Sequence, residues 1–377
     1  MAVSQSVFGE RHSLSLSRRI MTGLKLDAPL LAGLVMTCGF GLVVLWSASG
    51  QDSGLLMRQL VRLGLAFAVM VALAQVPPKV LRLWSPWLFT AGLALLVVVM
   101  FVGDFGKGAQ RWLDLGIVRF QPSEIMKLAV PMMAAWYLHD RPLPPRFLEL
   151  LVLLSLVALP AFLIVQQPDL GTALLVASAG LLVVLLGGLR LRLIVLLGAV
   201  GASLAPVLWH FMHDYQRLRV LTFFNPESDP LGAGYHIIQS KIAIGSGGLF
   251  GKGWGNGSQA QLEFLPERST DFIFAVLGEE FGLIGLALLM GSYLFLIGRG
   301  LYIALQAQDT YTRLLAGSIS LTFFVYVFVN TGMVTGLLPV VGVPLPLISY
   351  GGTSMVTLMA GFGILMAING HRNLLAR

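Results

Sequence analysis

The chain has 377 residues, of which 56% are hydrophobic and only 11% charged. Soluble domains carry about 25% charge, so a soluble enzyme is excluded. A disordered chain is excluded too, because disorder needs low hydrophobicity and high net charge. What remains is a polytopic membrane protein, built from spans of roughly 20 apolar residues each.

Apolar runs fall near residues 28–48, 59–76, 86–103, 122–139, 147–166, 170–187, 192–210, 271–297, 312–336 and 348–369. They predict ten spanning helices and an all-α fold. The stretch 147–210 is almost continuous, and Gln166-Gln167-Pro168-Asp169 and Gly187-Gly188-Leu189-Arg190 cut it into three. The 43 glycines and 18 prolines suit membrane helices with breaks and shaped loops. The single cysteine, Cys38, leaves no internal disulfide and no CxxC metal or redox pair. The first 25 residues are polar and basic, and no cleavable signal is expected, because the first apolar run lies too deep and is long enough to span. The organisation expected is a cytoplasmic segment 1–27, a ten-helix domain 28–370 and a cytoplasmic tail 371–377.

The net charge of +7 raises the question of nucleic acid. The placement of the charges answers it. With the N-terminus in the cytoplasm, the loops on that side hold fourteen basic residues against five acidic ones, and the other segments hold eleven against thirteen. That asymmetry is the positive-inside pattern. The basic balance therefore reports topology, and no nucleic-acid partner is expected; the surrounding lipids are. Both termini are predicted to be cytoplasmic. The unusual loops then face outward: 104–121, the large loop 210–270, and the proline-rich 337–347. There is no ATP on that side.

Four constellations carry polar chemistry. In the first, Arg111 precedes Gln121-Pro122-Ser123-Glu124 and Lys127. Pro122 suits a helix start. Glu124 and Lys127, three apart, share a face one turn inside a span. Ionisable groups there face protein or a wet cavity, so the pair is either a structural lock or part of a substrate cavity. In the second, Asp169 of Gln167-Pro168-Asp169-Leu170-Gly171 is either a helix N-cap or a polar cavity wall.

The third is the large loop. It holds Arg217 and Arg219, then Tyr235–Ile244 with Lys241, then the glycine-rich 245–257, then Glu267 and Asp271. Gly251-Lys252 fails as a P-loop, since Ser246 and Gly253 stand at two required positions. The glycines are expected to let the backbone approach a sugar or phosphate. The arginines can bind phosphate as planar forks or rest on lipid headgroups. His210, His213 and Asp214 form a weak candidate metal cluster. No cofactor is evident, and a divalent cation is not readable here. Asp271 stands where a polar loop becomes an apolar helix, so it is either a cap or a partly desolvated general base. Glu279 and Glu280 follow within the span and are expected to be buried and paired. The fourth constellation is Asn330, the proline-rich segment, and Ser349-Tyr350-Gly351-Gly352, read as a re-entrant packing loop or a site wall.

Together these segments resemble the SEDS family of bacterial membrane proteins (shape, elongation, division, sporulation). The likeness covers nearly the whole chain. Its specific parts are Gln110-Arg111-Trp112, Gln121-Pro122-Ser123-Glu124 with Lys127, Pro168-Asp169-Leu170-Gly171, Leu265-Pro266-Glu267 with Thr270-Asp271-Phe272, and Ser349-Tyr350-Gly351-Gly352. Gln167-Pro168-Asp169 and Gly253-Trp254 with Gln259 through Leu265 point to the elongation branch rather than the division branch. Ser269 departs from the histidine common in the family. The resemblance implies a ten-helix peptidoglycan glycosyltransferase that polymerises lipid II into β-1,4 glycan at the outer face and releases undecaprenyl pyrophosphate. It implies an essential aspartate at Asp271, and it implies a class B penicillin-binding protein and the MreB-associated elongation complex as partners. Substrate contacts are expected from Arg111, Glu124, Lys127, Asp169, Arg217, Arg219, Lys241, Glu267 and Ser349. The rival readings are a lipid II flippase and a non-catalytic scaffold.

Overall fold

The computed structural model describes residues 23–106, 109–114, 119–189 and 233–372 apart from 263 and 266, together with isolated positions from 195 to 225. The expected seventh span, 192–210, lies largely outside the described residues, as does Arg219.

The fold is all-α apart from three short strands. The long helices are α1 (Ala28–Ala48), α2 (Ser53–Ala74), α3 (Pro78–Val102), α4 (Pro122–Leu138), α5 (Phe147–Gln166) and α6 (Leu170–Leu186). After them come α7 (Ala233–Ser246), the single turn α8 (Ser258–Gln261), α9 (Ile273–Leu305), α10 (Thr310–Val334) and α11 (Thr353–Gly370). Seven of these are long and apolar enough to cross a membrane, and α6 is a shorter apolar helix. Helix α2 begins six residues earlier than the apolar run, because Asp52 caps it and accepts from the Gly54 and Leu55 amides. Helix α11 begins five residues later than expected, because Ser349 to Gly352 stay in the preceding loop. Between α3 and α4, β1 (Asp104–Gly106), β2 (Ala109–Asp114) and β3 (Arg119–Phe120) form a small antiparallel sheet in the order β1-β2-β3.

Polar ties bracket the first span. At one end Asp27 caps α1, accepting from the Leu30 amide at 2.9 Å. The same carboxylate accepts from Arg299 at 2.6 and 3.0 Å and from Asn369 at 2.8 Å, joining α1, α9 and α11. At the other end the Ser47 hydroxyl donates to Glu280 at 2.5 Å. Twenty residues separate Asp27 from Ser47, which is about 30 Å of helix, the thickness of a hydrocarbon core.

Helix α9 is broken at Gly282 (φ 63°, ψ −160°). The glycine-rich segment 247–253 repairs the break. Gly248 and Leu249 carbonyls accept from the Leu283 and Ile284 amides at 3.0 and 3.2 Å, and the Lys252 and Gly253 amides donate to the Glu279 and Glu280 carbonyls at 3.0 Å. Added Cβ atoms at Gly247 and Gly251 would collide with the Gly278 and Glu280 carbonyls. The glycines thus permit close approach, as expected, but to α9 rather than to a ligand. Glu279 is fully buried, as expected, and pairs with Lys252 at 2.7 Å. Ser258 and the Gln259 amide complete its coordination at 3.0 Å.

Candidate active site

Several of the sequence-derived site residues, among them Asp271, Glu267, Ser349 and Asp169, lie at helix ends and loops away from Asp27. Asp271 sits in the turn just before α9 and is half-buried. Its carbonyl accepts from the Asn330 amide at 2.9 Å, and the same amide nitrogen donates to the Val343 carbonyl at 2.7 Å. A Cβ built on Gly342 would lie 3.6 Å from an Asp271 carboxylate oxygen. The proline-rich segment therefore curves directly past the aspartate. It can do so because Gly336 and Gly342 take positive φ, 74° and 73°.

Ser349 locks this frame. Its hydroxyl donates to the Thr270 carbonyl at 2.5 Å and accepts from the Leu345 amide at 2.8 Å. The Tyr350 amide donates to the Ser269 carbonyl at 2.8 Å. Tyr293 of α9 donates to the Pro346 carbonyl at 2.6 Å. Irregular backbone inside a membrane bundle needs such partners. Glu267 takes a positive φ of 54° and accepts from the Thr270 hydroxyl at 2.8 Å. For a non-glycine residue that conformation is uncommon and tends to occur where surrounding structure imposes it.

On one flank of Asp271 stand the residues of α4 and α6. Lys127 and Glu124 form a buried ion pair at 2.7 Å, each side chain 6% exposed. The Lys127 ammonium also lies 5.2 Å from the centre of the Tyr326 ring. The second Glu124 oxygen and the Ser123 hydroxyl are buried with no hydrogen-bond partner. Lys127 lines a cavity between α4, α10 and α11 with Thr322, Phe323, Tyr326, Thr357 and Phe362. Lys127 is thus both half of the ion pair and a lining residue of this cavity. Asp169 is the N-cap that one of its two readings expected. One oxygen caps α6 through the Thr172 amide at 3.1 Å, and the other accepts from Gln121 at 2.9 Å and pairs with Arg111 at 3.3 Å. Gly171 brings α6 against the Val341 carbonyl, 2.8 Å from where a Cβ would stand. The proline-rich segment therefore bridges Asp169 to Asp271.

The remaining cations lie apart from these. Lys241 is exposed on α7, its chain against Gly336. Arg217 donates to the Trp209 and His210 carbonyls at 3.0 and 2.6 Å. His213 and Asp214 fall outside the described residues. Among the described residues, no three His, Cys, Asp or Glu side chains gather as a metal-ligand group.

The other flank was missed from sequence. Gln59 of α2, buried, donates to the Ser349 carbonyl at 3.3 Å and accepts from the Gly351 amide at 3.4 Å. Arg58 donates to the Tyr350 hydroxyl at 3.4 Å, and the Arg62 guanidinium lies 4.5 Å from the Tyr350 ring centre. Arginines inside an apolar run were the available signal; the expected start of that span at 59 left Arg58 outside it.

Comparison with known proteins agrees with this architecture. The chain is 55% identical over 353 residues to the peptidoglycan glycosyltransferase MrdB of Escherichia coli K12, covering 93% of this chain and 95% of that one. It superimposes with a TM-score of 0.80 and 36% identity on a chain from a study of the structural coordination of polymerization and crosslinking by a peptidoglycan synthase complex, covering 91% of this chain and 97% of that one. It matches the rod shape determining protein RodA of Thermus thermophilus with a TM-score of 0.70 and 30% identity, over 92% of this chain and 98% of that one. With a family model matching residues 28–374, the chain belongs to the cell cycle protein family of FtsW, RodA and SpoVE, the SEDS family.

Proposed function

We propose that this chain is a peptidoglycan glycosyltransferase that polymerises lipid II at the outer face of the bacterial inner membrane during elongation. The observation that carries the reading is the placement of Asp271. A half-buried carboxylate stands in a frame of proline-rich backbone at one end of a membrane bundle that also holds the buried Lys127–Glu124 ion pair and its cavity. The likeness to an enzyme of that name at 55% identity supports it.

In this reading Asp271 takes the proton from the acceptor sugar hydroxyl as that oxygen attacks the donor's anomeric carbon. The bond from that carbon to the undecaprenyl pyrophosphate breaks, and the leaving group carries the electron pair away. One displacement inverts an α-linked donor into a β-linked product. No nucleotide is needed, because the donor already carries its leaving group. Charge develops on the pyrophosphate, so fixed cations aimed at it lower the barrier. Lys127 and Arg111 are two candidates for that role. Glu124 and Asp169 hold those cations in place, and Ser349 and Glu267 shape the backbone around Asp271. Arg217, Arg219 and Lys241, from the segment 210–270, are further candidates for the cation role. Both termini are cytoplasmic in this orientation. A class B penicillin-binding protein of the elongation machinery crosslinks the strands.

Flipping of lipid II is the competing activity. It requires opening at the Asp27 end, which the Asp27, Arg299 and Asn369 ties hold shut. The test is lipid II polymerisation by the purified complex with its transpeptidase blocked. The wild type should make glycan and Asp271→Asn should make none, with unchanged folding. Equal product from both overturns the base assignment. No product from either, in a folded complex, overturns the polymerase reading and sends the question to a liposome flipping assay.

A further inference from the structure

The amphipathic stretch of the large loop, α7, has no part in the chemistry described above, yet its residues reach the elements around Asp271. The fully buried Ser240 hydroxyl donates to the Val334 carbonyl at 2.7 Å. Val334 is the last residue of α10, where helix carbonyls lack a partner within the helix. An added Cβ at Gly336 would collide with the Lys241 side chain and lie 3.2 Å from the buried Ile237. Gly336 stands where the chain leaves α10 for the proline-rich segment that curves past Asp271.

His236 completes the set. Its ring centre lies 5.6 Å from that of Phe272 with the planes tilted by 31°, and the Tyr235 ring meets it edge-on at 6.2 Å. Tilted aromatic pairs at such separations attract. Phe272 directly follows Asp271 and is 3% exposed. Its amide donates to the Glu267 carbonyl at 3.3 Å, and its carbonyl accepts from the Ala275 amide at 2.9 Å. The Phe272 ring therefore anchors the turn on the C-terminal side of the aspartate. Asn330 and Ser349 hold the same turn from α10 and from the segment before α11. His236 holds it from the large loop. A general base must stay within hydrogen-bond reach of the proton it takes, and a displacement of about 1 Å can cost roughly a hundredfold in rate. A contact that sets the pitch of this turn is felt in turnover.

We propose that His236 is a positioning residue for the Asp271 base: its ring, pressed against Phe272, holds the turn that carries the aspartate and couples α7 of the large loop to the site. The inference deepens the polymerase reading and rests on it.

The full chain, assembled with its class B partner and with the transpeptidase blocked, is compared as wild type, His236→Ala, His236→Leu and His236→Phe. The leucine fills the volume without a flat ring and serves where alanine unfolds the loop. Both aliphatic variants should lower kcat for lipid II by about ten- to a hundredfold, with KM little changed. His236→Phe, which keeps a flat ring on Phe272, should restore most of the turnover. The second readout needs no turnover. Amide exchange across residues 268–274 should be about tenfold faster in the aliphatic variants. It should equal the wild type in His236→Phe and in Asp271→Asn, and α1 to α6 should exchange alike in all. Wild-type turnover and exchange in both aliphatic variants would overturn the proposal. So would His236→Phe with wild-type exchange but the low turnover of His236→Leu, which would give the imidazole a chemical part of its own. A raised KM at constant kcat would make His236 a substrate contact and overturn it as well. If no form polymerises, the polymerase reading fails and exchange alone decides. Faster exchange in His236→Leu, restored in His236→Phe, would leave the hold on the turn standing, and unchanged exchange would remove it.

Discussion

The two ends of the bundle use an aspartate in opposite ways. Asp27 is 5% exposed and its carboxylate is saturated by the Leu30 amide, Arg299 and Asn369. Asp271 is half-buried, and its backbone is held through Asn330 and the Ser349 lock on Thr270. The first arrangement joins three helices and leaves the carboxylate nothing further to do. The second holds the position while the carboxylate oxygens face the curve of the proline-rich segment. The contrast lies in burial and setting: a saturated carboxylate that ties three helices at one end, and at the other a half-buried one whose backbone two neighbouring segments hold.

Substitutions at the two aspartates should separate these roles most sharply. Asp271→Asn should lower polymerisation by about 10²- to 10⁴-fold, the usual contribution of a general base, with the melting temperature unchanged. Asp27→Asn should do the reverse. It leaves Arg299 without its charge partner, a loss of about 3 kcal/mol by analogy with broken buried pairs, read as a lower melting temperature with activity retained per folded molecule. A drop in turnover with no change in melting would break the comparison.

Between these extremes lies the Lys127 pair. Lys127→Ala strands Glu124, already short of one partner, in a buried site. It should destabilise more than Arg217→Ala, whose contacts to the Trp209 and His210 carbonyls are exposed. Equal melting temperatures in detergent would contradict that. The smallest effect belongs to Ser349→Ala. Two hydrogen bonds vanish, at about 1 kcal/mol each, so melting should fall modestly. Polymerisation should fall further than melting does, because the lost bonds hold the backbone next to Asp271.

Much of the fold was legible in the sequence because a bilayer imposes a simple rule on composition. Nine of the ten expected apolar segments coincide with described helices, with shifts at ends where a cap or a loop decides. Asp52 extends α2 outward, and the Ser349–Gly352 loop delays α11, and neither effect leaves a mark on hydropathy. The site was legible as a set of motifs but not as a geometry. Asp169 and Asp271 are 102 positions apart, and only the path of the proline-rich segment past Gly171 and Gly342 connects them. The glycine-rich loop read as a ligand cradle because glycine signals close approach without naming what approaches. Its partner is the break at Gly282, thirty positions away.

The sequence by itself determined the membrane class, most of the apolar segments, and which ionisable residues needed partners. Hydrocarbon tolerates few charges, so each exception is visible in one dimension. Only the tertiary structure decided who those partners are. Lys127 turned to Glu124, Lys252 to Glu279 and Arg299 to Asp27, while Arg62 found an aromatic ring. Pairing depends on which helices pack together and at what height, and that is set by long-range packing that no local pattern encodes.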